Sequence, residues 1–76
     1  MIKEKLAEQA HISWSGWMEY LFEKSKSNLD GSYTIPKWAV DRWKRQMKTK
    51  YENLTEQEKE SDRKEAQDYI NIIKKC

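Results

Sequence analysis

Thr55-Glu56-Gln57-Glu58-Lys59-Glu60-Ser61-Asp62-Arg63-Lys64-Glu65-Ala66-Gln67-Asp68-Tyr69-Ile70-Asn71-Ile72-Ile73-Lys74 is the stretch whose reading decides the fold. It opens with a capping box, in which Thr55 and Glu58 satisfy each other's free backbone N–H groups. Glycine and proline are absent from it, and Lys74 and Lys75 complement the negative end of a helix dipole. The spacing of Ala66, Tyr69, Ile70 and Ile73 predicts the inward face of a long helix. Four residues back along that face stands Asp62, with Lys59 and Arg63 beside it. A core helix carries apolar residues along its whole buried stripe, whereas this stripe is charged in its first half. Either the first two turns project beyond the core, or they border a polar pocket.

Upstream, Pro36 suits the first turn of a helix, where its missing N–H is not needed. A second helix is expected from Pro36 to about residue 48, with Ala39, Val40, Trp43 and Met47 as its apolar stripe. Before it, Ser25 to Tyr33 reads as a turn, and Asn28-Leu29-Asp30-Gly31 within it holds an Asp-Gly pair, in which glycine accepts positive φ without steric cost. Ser32-Tyr33-Thr34-Ile35 is the one short stretch expected to run extended, since a residue before proline is pushed out of the α region. From Ile2 to about Lys24, steps of three and four align Leu6, Ala10, Trp14, Trp17, Met18, Leu21 and Phe22 on one helical face. Gly16, with Ser13 and Ser15, weakens the middle of that helix, and a break or second start near Ser13 is left open. The chain therefore reads as one all-α domain, with helices near 3–24, 36–48 and 55–74 and a short turn or extended segment between the first two.

Composition agrees with a small helical domain. Of 76 residues, 37% are hydrophobic and 37% charged, with two glycines and one proline, a balance polar yet too aromatic for a disordered chain. Residues 36–50 hold six Lys/Arg against one Asp, a local charge of +5 within a net charge of +2. The flanking segments, 1–35 at −1 and 51–76 at −2, are acidic. The start lacks the apolar run of a signal peptide, and no stretch is long and apolar enough to span a membrane. A lone cysteine, Cys76, allows no disulfide within the chain, so the default setting is a reducing cytoplasm.

Four tryptophans, Trp14, Trp17, Trp38 and Trp43, are more than so small a core can bury. Trp38 and Trp43 alternate with Arg42 and Arg45, and planar guanidinium groups beside flat rings suit a stacked anionic partner such as a nucleotide. A candidate ligand site thus comprises Trp14, Trp38, Arg42, Trp43, Arg45 and Arg63, with His11 and Asp62 as polar support. The plainer reading makes His11 a helix-surface or half-buried residue. It also makes Asp62 a structural acceptor for a tryptophan N–H or for Arg42 or Arg45. No nucleophile is placed with a base, one histidine and a terminal cysteine would leave carboxylates to supply the other ligands of any metal, and no cofactor is implied, so an enzyme is not expected. Lys37, Arg42, Lys44, Arg45, Lys48 and Lys50 could track phosphates, but the low net charge and acidic flanks argue for a solvated basic face over nucleic-acid binding.

Tyr51-Glu52-Asn53-Leu54-Thr55-Glu56-Gln57-Glu58-Lys59-Glu60-Ser61-Asp62-Arg63 resembles an element of ryanodine-receptor-type (RyR) domains, where an acidic "EKE-x-DR" run opens the last helix. His11-Ile12-Ser13-Trp14 is similar to the "H-x-x-W" that begins such domains. The stretch from Ala10 to Ile70 also resembles small phage and prophage proteins, which share the "W-x-x-W-M" helix, the "DG-x-x-x-IP" turn and the "RWKRQM" helix. The first resemblance implies nucleotide-like binding. The second implies a small accessory protein made inside a bacterial cell.

Two functional classes follow. One is a non-enzymatic binder that sequesters or senses a nucleotide-like small molecule, in a regulatory or counter-defence role. The other is an adaptor that docks a host or phage protein through an exposed Trp/Met patch. Three short helices leave large apolar residues uncovered, so a homo-oligomer is expected, most simply a two-fold dimer. Its interface would lie on the first helix, roughly 33 Å long at 1.5 Å per residue.

Overall fold

Three helices and one minimal hairpin make up the computed structural model, which describes residues 1–75; Cys76, read above as unpaired, lies outside them. In chain order these are α1 (Ile2–Lys24), β1 (Lys26–Ser27), β2 (Tyr33–Thr34), α2 (Lys37–Lys48), a 3₁₀ turn (Tyr51–Asn53) and α3 (Glu56–Lys75). The expected three-helix, mostly-α domain is what forms. No helix among the described residues is long and apolar enough to cross a membrane.

α1 runs unbroken through Ser13 and Gly16. Its end is fixed by Ser25, whose hydroxyl donates to the Leu21 carbonyl at 2.7 Å. In the hairpin, Lys26 pairs with Thr34 and Ser27 with Tyr33 in antiparallel register, so residues 26–27, read above as turn, run extended as well. Asp30 holds the bend by accepting from the Ser32 N–H at 3.0 Å and the Ser32 hydroxyl at 2.6 Å. Gly31 takes φ +90°, a conformation in which a side chain would be strained. The hairpin folds back on α1 through Phe22 and Tyr33, whose ring centroids lie 5.0 Å apart.

Pro36 sits at the N-cap of α2, and its carbonyl accepts from the N–H groups of Ala39 and Val40. The capping box at the start of α3 forms as expected. Thr55 N–H donates to Glu58 Oε1 and Glu58 N–H donates to Thr55 Oγ1, both at 3.2 Å.

The antiparallel α1–α3 pair is the frame of the molecule, and polar side chains tie it together. Gln9 donates to the Ser13 hydroxyl at 3.3 Å, and Ser13 in turn donates to the Glu65 carboxylate. Burial first, and then the Glu65 carboxylate, push the Tyr69 phenol above its ordinary pKa. These bonds set the rotation of α3. Glu65, Asp68, Tyr69 and Ile72 are half-buried, whereas Ala66, Ile70 and Ile73 are exposed. The inward face expected from spacing is thus corrected at three of its four positions. Seen down the axis the apolar stripe lies to one side of the α1 contact, by about one residue step of 100°.

Very little is fully enclosed. Ala39 is the one buried apolar residue and Glu58 the one buried charged residue among those described. The chain measures 46 × 33 × 16 Å, with a radius of gyration of 15.5 Å against about 11 Å for a compact domain of this length.

Candidate functional site

An apolar cleft of about 440 Å³ opens where the C-terminal half of α1 meets α2 and the start of α3. Helical spacing builds it. Trp17 and Met18, four and three residues before Leu21, face it with Leu21 from α1, Trp43 and Met47 lie four apart on α2, and Leu54 closes the end. Tyr20 and Gln46 complete the wall, and Asp62 is the only ionisable carboxylate among the lining residues.

The α1–α2 side of the cleft is held by rings. Trp43 packs against Tyr20 with centroids 6.2 Å apart and planes tilted 56°. Trp38 meets Trp43 edge-on at 6.4 Å and 62°, an arrangement favoured by the ring quadrupoles. The α2–α3 side is held by charge. Arg45 donates from Nη2 to Glu58 Oε2, while Glu58 Oε1 caps the helix. Both carboxylate oxygens of this buried residue are therefore engaged. The Arg45 hydrogen bond is the main reason that the Glu58 pKa lies below the ordinary range, overcoming the opposing effect of burial.

The residues singled out from the sequence separate into three groups. Trp43 and Asp62 line the cleft, and Trp38 buttresses Trp43 from outside it. Arg45 and Arg63 are engaged elsewhere: Arg45 with Glu58, and Arg63 with Glu60 and Glu56, each at 3.2 Å. Those two carboxylates, Glu60 before Glu56, raise the Arg63 pKa further above its already high value. Arg42 makes no ion pair among the described residues, and it is not part of the cleft wall. Trp14 lies outside the cleft, 58% exposed, with the His11 ring stacked 6.2 Å away.

One reading changes. Taken as a structural acceptor, Asp62 was to accept from a tryptophan N–H, Arg42 or Arg45. It has no hydrogen bond among the described residues, because Glu58, one turn earlier, lies closer to α2 and takes Arg45. Met47, on the apolar stripe of α2, is 75% exposed at the cleft mouth. Sequence reasoning also left Trp17 and Leu54 out of the site. The three-residue step from Trp14 to Trp17 was a visible signal, but it identifies a stripe without saying which ring meets another helix.

No family model matches this chain, and no curated protein or solved structure is significantly similar to it. The functional reading therefore rests on the geometry.

Proposed function

We propose that this chain is a non-enzymatic protein-binding module whose cleft receives the apolar face of a partner helix. The observation that carries this reading is the character of the cleft wall. Trp17, Met18, Leu21, Trp43, Met47 and Leu54 offer rings and flexible thioethers with a single charged group. Aromatic and methionine side chains are enriched at protein-binding surfaces, and methionine adapts to the partner's shape. A groove lined in this way is the usual receptor for an amphipathic helix with apolar anchors three or four residues apart. Asp62, without an intramolecular partner among the described residues, would meet a lysine or arginine of that helix.

The same wall gives less support to a nucleotide-like ligand. A phosphate needs guanidinium donors near the stacking ring, yet Arg45 and Arg63 are occupied by carboxylates and the cleft's one charge is negative. The resemblance to phage and prophage proteins would make the partner a host or phage protein in the bacterial cytoplasm.

The test pairs capture from host cells with calorimetry against mono-, di- and cyclic nucleotides. This reading expects no nucleotide binding, together with a captured partner that is lost in Met47→Glu and kept in Arg42→Ala. Saturable nucleotide binding that Arg42→Ala abolishes, with capture unaffected by Met47→Glu, would replace it with the small-molecule reading.

A further inference from the structure

α2 covers only half of the apolar face that α1 and α3 share. The pair runs antiparallel, with Ser13 bonded to Glu65 and with Trp17 and Asp62 meeting in the cleft. Moving out of the cleft along the same faces, α1 continues from Trp17 to Trp14 and Ala10. α3 continues from Asp62 to Ala66, Ile70 and Ile73. These steps of three, four and seven keep to one side of each helix. None of the five is buried: Trp14 is 58% exposed, Ile73 52% and Ile70 43%. α2 ends over the other half, so no other element among the described residues lies above this strip.

We infer that a second copy of the chain covers this bare half, the two α1–α3 pairs packing face to face about a two-fold axis. Surface area supports this occupant. A compact chain of 9.2 kDa exposes about 4,900 Å². This subunit exposes 6466 Å², an excess of roughly 1,500 Å² over that compact value. Two such excesses amount to about 3,000 Å² with cleft and hairpin included, and half of that is still the area of an ordinary stable interface. Thickness agrees. The chain is 16 Å through its thinnest dimension against 46 Å along its longest, and α2 adds a second layer over only part of the α1–α3 pair, whereas a stable domain packs two layers. A second antiparallel pair supplies the missing layer and makes a four-helix arrangement. Two-fold symmetry brings like patch onto like patch, so equal bare halves match in extent. The inference rests on the strip beyond the cleft and not on the cleft's own occupant.

Sedimentation of the 76-residue chain under reducing conditions, at three concentrations a factor of ten apart, tests it. The expected result is a dimer of twice the 9.2 kDa subunit mass, with a melting temperature that rises with concentration. Ile70→Glu should weaken the dimer at least a hundredfold, while Asn71→Glu, exposed on the side of α3 turned away from the strip, should leave it intact. Should Ile70→Glu fail to fold, the concentration dependence of the wild-type melt still decides. A monomer at every concentration with an invariant melt overturns the inference. So does a dimer unaffected by Ile70→Glu, or one lost in Asn71→Glu. Capture of another protein at the cleft would be unaffected by any of these results.

Discussion

Trp43 is the side chain on which the α1–α2 junction depends, and replacing it with alanine is the perturbation of greatest consequence for the fold. Its ring is half-buried, packed on Tyr20 and met edge-on by Trp38. Trp→Ala at a buried site costs about 3–5 kcal/mol, and a ring that already faces an open cleft belongs at the low end, near ~3 kcal/mol. A single core of this size supplies about 3–5 kcal/mol in all, so Trp43→Ala should remove most of the stability. At about 4–8 °C per kcal/mol for a small domain, the melting temperature should fall by more than about 12 °C. Trp43→Phe keeps a ring on Tyr20 and forfeits the edge contact with Trp38. An aromatic pair of this kind is worth about 0.5–1.5 kcal/mol, so its loss should be roughly a third as large. Thermal melts followed by far-ultraviolet circular dichroism, at one fixed protein concentration, measure both. A Trp43→Ala melt within about 3 °C of wild type would refute the claim that these rings join α2 to the rest.

Thr55→Ala removes one half of the capping box and should cost about 1 kcal/mol, read as a melt lowered by about 4–8 °C. Because the Glu58 pKa is depressed in the folded chain, its contribution is complete above the unfolded carboxylate value. That contribution is lost as pH falls through the folded value; Glu58→Gln should therefore flatten the fall of melting temperature on the acid side of the ordinary glutamate range. Gly31→Ala places a side chain at φ +90° and should cost about 1–2 kcal/mol, seen as hairpin amides that exchange faster with solvent.

Helix existence and caps were legible because they depend on local chemistry. Thr55 and Glu58 announce their reciprocal bonds three residues apart, and Pro36 announces where α2 starts. The rotation of α3 was not legible. Ala66, Ile70 and Ile73 form the apolar stripe that periodicity assigns to a core. The polar bonds from Ser13 to Glu65 nevertheless turn that stripe aside, and a pairing across 52 residues leaves no local trace. The same long-range geometry decides which arginines are free. Arg42 and Arg45 look equivalent in sequence, yet Arg45 is drawn to Glu58, whose role beyond the cap depends on where α2 comes to rest. Trp17 and Met47 were visible as stripe members, and the cleft between them exists only once the three helices meet.

The measurement that tests the central claim most directly is nuclear magnetic resonance of the four tryptophan indole N–H groups as a captured partner is added. Because Trp17 and Trp43 line the cleft while Trp14 lies outside it, the resonances of Trp17 and Trp43 should shift and saturate together. Trp17 and Trp43 signals that stay in place while Trp14 alone responds would contradict the account and move the binding surface away from the cleft.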